Sequence, residues 1–492
     1  MQGNRQSMRI AIIGGGFGGI GAAIKLREAG YESITIFEKA SDVGGCWRDN
    51  SYPGAACDVP SHLYSFSFEP KHDWSRKYAP QAEIYGYLQH CVDKYGLRRH
   101  FRFGTEIESA RFDESRALWR LQTAAGESVE AQVLITACGQ LNRPVTPRLP
   151  GIERFGGEVF HSAQWRHDLD LSGRRVAVVG TGASAIQFVP RLATKVASLS
   201  LFQRSAPYII PKPDRRYSRR EQNLYRCFPW LQRLSRAWQY CRYEARVFAF
   251  ARILPLMPLV RVGFERHLKR QVADPELRKK LRPDYPIGCK RILISNDYYP
   301  AITSDRVELV TEPIREITEA AVVTQDGRTH EVDTLIYGTG FAATEFLAPM
   351  KIKGLGGHDL NVAWRDGAEA YLGISVSGFP NLFMLYGPNT NLGHNSIVYM
   401  IESQLRFVLQ AIGRLRDGDN RSLDVRADRQ SRFNERLQKS MRRTVWAQGC
   451  DSWYQTATGR HTNNWPGFTF SYRHRTAKFD ASAYHDPLGA AP

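Results

Sequence analysis

Two short glycine-rich turns in this 492-residue sequence carry the residue types and spacing needed to hold a dinucleotide. In the first, Gly14, Gly16 and Gly19 form a GxGxxG between the apolar run MRIAII and the helix-like AAIKLREAG. The first glycine permits a tight turn, the second lets the backbone approach a pyrophosphate, and the third lets the helix pack closely. Amides at the helix N-terminus then face the phosphates, where the helix dipole favours negative charge. Glu38 ends the next strand, 19 residues after Gly19, placed to accept hydrogen bonds from ribose hydroxyls. In the second turn Gly180 and Gly182 are followed by Ala185, and Arg204 stands in the slot that Glu38 fills in the first. A carboxylate repels a 2′-phosphate; a guanidinium holds it with paired hydrogen bonds. The asymmetry predicts FAD at the first turn and NADPH, rather than NADH, at the second.

A flavin beside NADPH is a redox pair, and the remaining motifs restrict what receives the electrons. Cysteines stand at 46, 57, 91, 138, 227, 241, 289 and 450, with no CxxC pair among them. Disulfide-reductase chemistry, a disulfide framework and a zinc site are therefore not expected, and a reducing cytoplasm suits the pattern. HExxH, GxSxG and GxxxxGK[ST] are all absent, which argues against metal hydrolysis, Ser–His–Asp chemistry and phosphoryl transfer. No metal site is predicted. Reduced flavin reacting with dioxygen is the remaining route.

The elements that must position these residues follow from hydrophobic period. Strand, turn, helix and strand over residues 8–38 make one βαβ unit, and RRVAVVG, TGASA, IQFVPRLATKV and SLSLFQR (174–204) repeat it. A third strand and turn, DTLIYGTGF (333–341), echoes both. The fold class predicted is α/β, with two Rossmann-like dinucleotide-binding domains and a helical insertion in the second. The expected boundaries are 1–145 and 342–492 for a discontinuous FAD-binding domain, and 146–214 and 286–341 for the NADP-binding domain. Residues 215–285 are the insertion.

That insertion concentrates the charge. Between Arg215 and Arg282 there are 18 Arg and Lys against 5 Asp and Glu, most of the net +18 of the chain. No nucleic-acid motif accompanies it, so nucleic acid is not an expected partner. Leu231, Leu234, Trp238, Cys241, Ala245 and Phe248 step by three and four, an amphipathic helical stripe. Two readings of the insertion follow. In the first it is a helical cap that buries the stripe and exposes its arginines. In the second it docks reversibly on an anionic membrane, making the protein peripheral to one. The most apolar stretch, 247–264, carries two arginines and two prolines and is not expected to span a bilayer. The N-terminus lacks a secretory pattern, which suits a cytoplasmic protein. No residue pattern specifies an oligomeric state.

Three stretches together resemble the Baeyer–Villiger monooxygenases, class B flavoproteins. FGGEVFHSAQW (155–165) fits their FxGxxxHxxxW fingerprint through Phe155, Gly157, His161 and Trp165. GGCWRDNSYPGAACD (44–58) looks like the family's other signature, with Trp47 and Asp58 in register. YPIGCKRILISNDYY (285–299) is similar to the segment that carries the family's active-site arginine. GTGF (338–341), NLFMLYGPNT (381–390) and SWY (452–454) add to a likeness that runs the length of the chain. The departures are Arg166, where Pro or Asp is common, and Tyr337-Gly338, where the family more often has Ala-Thr-Gly.

The resemblance implies an FAD-containing, NADPH- and O2-dependent enzyme that converts a small apolar ketone or aldehyde to an ester or lactone through a C4a-peroxyflavin. It gives Arg291 the catalytic role, with Asp58 orienting it. It places Lys290 and Ser205 near the NADP phosphate and Trp453 against the nicotinamide dinucleotide. His161 and Trp165 receive a positional task, anchoring the join while the NADPH domain shifts. Relatives that oxidise sulfur or nitrogen share most of this layout, and oxygenation at those centres is the alternative. A non-catalytic basic nucleotide-fold protein binding an anionic surface is the alternative of another class.

Overall fold

The structure is a computed structural model that describes residues 7–418, 421–447, 449, 454–456 and 458–489. Its frame is a pair of five-stranded, all-parallel sheets. The first runs in the order Leu382–Met384, Val133–Thr136, Ile10–Ile13, Ile34–Phe37, Phe101–Arg102. Ile10–Ile13 and Val133–Thr136 are buried throughout, because helices cover one face of the sheet and the antiparallel strands Ile107–Asp113 and Leu118–Thr123 cover the other. One such cover is tight. Phe17–Glu28 packs against Ile397–Asp417.

The second sheet has the order Val307–Val310, Ser198–Phe202, Arg175–Val179, Thr334–Tyr337, Glu158–His161. In each sheet the strand before a glycine turn is flanked on both sides, so the chain reverses direction across the sheet there. That is the switch point at which open α/β sheets bind ligands.

The stretch 155–165 is not a free-standing linker. Glu158–His161 is the edge strand of the second sheet, in parallel register with Thr334–Tyr337. Phe160 and Trp165 meet edge to face at 5.3 Å, and Trp165 also lies 5.4 Å from Phe188. His161 is buried, and its Nδ1 accepts from the Ala163 N–H at 3.0 Å, closing a short 3-10 turn. Burial pushes this imidazole below its usual range, so it is neutral near pH 7. The sequence concealed the strand because four residues beside glycines carry too little period-2 pattern to be read.

The insertion forms helices at Arg219–Cys227, Pro229–Glu244, Val247–Phe250, Met257–Gln271 and Pro275–Lys280. Its orientation corrects the first reading of the stripe. Pro229–Glu244 turns Leu234, Trp238 and Cys241 to solvent and buries Gln232, Gln239, Tyr243 and Glu244. Hydrogen bonding explains the inversion. Gln232 Nε2 donates to the Lys71 carbonyl at 2.6 Å, and Arg236 Nη1 donates to the carbonyls of His62 and Ser65 at 2.7 and 2.9 Å. Those carbonyls need donors when covered, and an apolar face could not supply them. No helix among the described residues is long and apolar enough to cross a membrane.

Among the described residues six cysteines are free, namely 46, 57, 91, 138, 227 and 241. Cys289 is disulfide-bonded, although no disulfide framework was expected from the scattered cysteines.

Gly157 tests the edge strand. A Cβ there would lie 2.4 Å from the Asp333 carbonyl oxygen and 2.7 Å from the Phe155 ring. Gly157→Ala is expected to cost about 1–3 kcal/mol, the usual cost of overpacking. Denaturant unfolding measures it, and an unchanged midpoint would show that the strand tolerates displacement.

Candidate active site

The carboxyl ends of both sheets open onto one continuous cavity of about 1450 Å³. Gly14, Gly16, Glu38, Trp47 and Asp58 line it from one half of the chain. Gly180, Gly182, Arg204, Ser205, Lys290 and Arg291 line it from the other. Gly19 and Ala185 are buried beneath the two turns rather than on the wall. Phe155, Gly157, His161 and Trp165 are also off the wall, so the fingerprint supports the second sheet and does not touch the cavity. Trp453 lies outside the described residues.

At the first turn each glycine has its own reason. A Cβ on Gly19 would fall 1.9 Å from the Gly14 carbonyl oxygen, so the helix can close on the turn only without one. A Cβ on Gly16 would meet nothing nearer than the Gly45 Cα at 3.8 Å. No packing contact requires a glycine there, and the open space in front of it suits a ligand. Glu38 is 5% exposed, and its carboxylate accepts from the Gly15 N–H at 2.8 Å and the Ala40 N–H at 2.9 Å. Arg48 lies 3.2 Å from the same carboxylate. That pairing was not anticipated from the sequence, although Arg48 sits inside the GGCWRDN stretch.

Gln140 supplies a second sign of a ligand. Its side chain is buried on the cavity wall, and neither amide atom has a hydrogen-bond partner among the described residues. A buried amide left unpaired is costly, so a polar group in the cavity is its natural partner. An open cradle at Gly16, an acid at the strand end and an orphaned amide between the halves all fit a dinucleotide. A nearby thiol is chemically quiet, since burial pushes Cys138 up to about 12.

On the opposite side, Arg204 follows the strand Ser198–Phe202 and is exposed. Lys290 Nζ lies 3.4 Å from Ser205 Oγ and 4.5 Å from the centre of the Tyr285 ring. Arg204, Ser205 and Lys290 thus gather positive charge and a hydroxyl at one end of the cavity.

Arg291 and Asp58 meet at the centre. Arg291 Nη2 donates to Asp58 Oδ2, and each side chain keeps about a third of its surface open to the cavity, 32% and 33%. Burial alone would raise the Asp58 carboxyl, but the Arg291 guanidinium outweighs it, with Lys212 adding to the effect. Asp58 is held below the usual carboxylate range, and Arg291 is pushed up, chiefly by Asp58. Both stay charged throughout the neutral range.

Two local structures hold this pair in place. Leu293–Ile294 pairs in parallel with Ile209–Ile210, which fixes the chain just after Arg291. The loop before Asp58 is clasped from the other half of the molecule. Gln187 Oε1 accepts from the Ala56 N–H at 3.1 Å, and Gln187 Nε2 donates to the Ala56 carbonyl at 3.1 Å. Tyr386 completes the wall, with its hydroxyl donating to Asn391 Oδ1 at 2.7 Å. Gln187, Gln140 and Tyr386 were missed individually. Only the NLFMLYGPNT stretch hinted at the last.

The contrast between two glycines gives a test. Gly16→Ala is expected to leave the unfolding midpoint of flavin-free protein nearly unchanged, within about 0.5 kcal/mol, while flavin affinity falls. Gly19→Ala is expected to lower both. Equal flavin affinity in Gly16→Ala and the parent, measured by flavin fluorescence titration, would remove the pyrophosphate from that turn.

Comparisons with known proteins agree with this geometry. The family model "Flavin-binding monooxygenase-like" matches residues 7–353. A Baeyer–Villiger monooxygenase of Pseudomonas aeruginosa is 50% identical over 487 residues, covering 98% of this chain and 92% of that protein. One from Streptomyces coelicolor is 43% identical, covering 97% and 92%. Among solved structures, oxidized steroid monooxygenase bound to NADP superposes with a TM-score of 0.88 at 32% identity, covering 98% of this chain and 99% of that one. Closed cyclohexanone monooxygenase gives 0.87 at 29% identity, covering 99% and 100%. With its two-sheet frame, its shared cavity and these relatives, the chain belongs to the flavin-binding monooxygenase-like family and, within it, to the Baeyer–Villiger monooxygenases.

Proposed function

We propose that this protein oxygenates an apolar ketone or aldehyde to an ester or lactone at the Arg291–Asp58 pair. It is an FAD- and NADPH-dependent monooxygenase of the Baeyer–Villiger type. The observation that carries the assignment of roles is that a paired arginine stands on the one cavity reached by both glycine turns. A cyclohexanone monooxygenase solved with epsilon-caprolactone bound supports a carbonyl substrate for the family fold.

Bound FAD supplies the centre at which dioxygen is activated, and NADPH supplies the hydride that reduces it. Residues 1–145 and 342–492 are proposed as the FAD-binding domain, with Gly14, Gly16 and Glu38 holding the dinucleotide. Residues 146–214 and 286–341 are proposed for NADP, with Gly180 and Gly182 at the pyrophosphate and Arg204, Ser205 and Lys290 at the 2′-phosphate. Trp47 packs edge to face with Tyr64 at 5.6 Å and donates from its indole to the Tyr64 hydroxyl at 3.1 Å. This aromatic pair walls the flavin side against water.

Arg291 has two tasks in this reading. Its charge persists at any working pH, so it can stabilise negative charge that develops on oxygen during the reaction. Its planar fork also positions the carbonyl oxygen of the substrate. Asp58 fixes the guanidinium plane and touches no reacting atom itself. The proposed setting is the cytoplasm, with peripheral membrane contact through residues 215–285.

Arg291→Ala is expected to lower ester formation by about 10²–10³-fold, as loss of an oxyanion donor does. Flavin reduction by NADPH, followed by stopped flow, should continue. Ester product retained at the parent rate would take Arg291 out of this role.

Arg204→Ala is expected to raise the NADPH KM about tenfold to a hundredfold, from the loss of one charged hydrogen bond. The NADH KM should change little. Equal changes in steady-state assays with the two cofactors would mean that the 2′-phosphate is held elsewhere.

A further inference from the structure

Ten of the fourteen large hydrophobic side chains exposed among the described residues fall between Leu224 and Val262. Trp238 is 69% exposed, Leu259 68% and Leu234 60%. Trp230, Leu234 and Trp238 recur every four residues along one face of Pro229–Glu244, whose opposite face is packed, while Leu259 and Val262 lie on Met257–Gln271. An exposed apolar stripe of this kind along one helix face, flanked by charge, marks an interaction site rather than ordinary scatter.

The rim is basic. Arg233 and Arg242 are exposed on the same helix as Leu234 and Trp238, and Arg261, Arg266 and Lys269 are exposed on Met257–Gln271. Beside Trp238 lies a second, small cavity of about 190 Å³, walled by Lys77, Arg215, Arg242, Tyr217, Tyr225 and Trp238. Three cations around a space that size leave it short of negative charge, although Glu221 pairs with Arg215. Burial holds the Lys77 ammonium below its usual range, and nearby Arg242 and Arg215 add to the effect. An anionic group entering the cavity would relieve that repulsion.

We propose that the insertion docks on an anionic phospholipid bilayer. Trp230, Leu234 and Trp238 enter the interface, and the Lys77–Arg215–Arg242 cavity receives a lipid phosphate. This rests on the peripheral contact read above, and names the surface, the insertion residues and the lipid class. Charge argues against a second copy as the occupant. Two such faces, each with 18 cations against 5 acids between Arg215 and Arg282, would repel in an isologous pair. No nucleic-acid-binding motif accompanies the charge, which argues against single-stranded nucleic acid as the occupant. A bilayer satisfies both features at once, with hydrocarbon for the apolar side chains and phosphate for the rim. It also concentrates apolar ketones beside the enzyme.

Co-sedimentation of the full-length, FAD-loaded enzyme tests the proposal. The vesicles are phosphatidylcholine alone, or phosphatidylcholine and phosphatidylglycerol in equal amounts, at low and high salt. The enzyme is expected to pellet with the mixed vesicles at low salt and to be released at high salt. Arg242→Ser should weaken binding about fivefold, the value of one cation near such a surface. Trp238→Ser and Leu234→Ser should abolish pelleting while NADPH-dependent turnover of a water-soluble ketone, without vesicles, is unchanged. Failure of the parent enzyme to pellet with mixed vesicles overturns the proposal, as does undiminished pelleting of Trp238→Ser. A dimer that Trp238→Ser dissociates would assign the face to a second copy, and tight single-stranded RNA binding without vesicle binding would assign it to nucleic acid. Either result overturns docking on lipid. Loss of turnover in the parent with vesicle binding intact would count against the enzymatic reading alone.

Discussion

An arginine held deep in a protein must be paired, and Arg291 finds its counter-charge on Asp58, 233 residues earlier in the chain. Desolvation penalises each ion alone, and each makes the other tolerable. The pairing also fixes the relation between two halves of the molecule. Asp58 stands on a loop of the first half, and Arg291 precedes the short strand Leu293–Ile294 anchored on Ile209–Ile210 in the second. The cavity, its two glycine turns and the basic cluster at Arg204 and Lys290 are arranged around that junction. A flavin enzyme that binds two dinucleotides needs such a fixed point, because the reacting groups arrive from different domains.

The sequence was informative where local geometry carries the function. Gly14, Gly16 and Gly19 could be read because a turn that admits a pyrophosphate leaves a steric signature within six residues. Arg204 stood out by contrast with Glu38, a comparison internal to the chain. The same logic failed for features assembled across long separations. The salt bridge of Arg48 with Glu38, the clasp of Gln187 on Ala56 and the orphaned amide of Gln140 have no local pattern. Each depends on where two distant backbones come to lie.

The stretch 155–165 shows how a motif can identify a family without touching its chemistry. Its His161 and Trp165 serve the second sheet, one closing a 3-10 turn and the other packing on Phe160 and Phe188. Read as a sequence, the fragment looked like a joint. As an edge strand it is a fixed part of the sheet whose central turn holds Gly180 and Gly182. Any shift of the second nucleotide site therefore carries this strand along with it, and the flexing residues must lie outside it.

Helix 229–244 departs furthest from simple patterning, and the reason is physical. Amphipathicity predicts which residues share a face, not which face turns inward. Here the neighbour is a loop whose carbonyls at His62, Ser65 and Lys71 need donors. Gln232 and Arg236 meet that demand, so the polar face goes in and Leu234 and Trp238 are left outside. The loop that imposes this inversion begins at Asp58. One continuous segment thus presents its first residue to the reaction cavity, its middle carbonyls to the insertion, and Lys77 to the small basic cavity beside Trp238. The exposed apolar face is a consequence of how the segment that carries Asp58 is held.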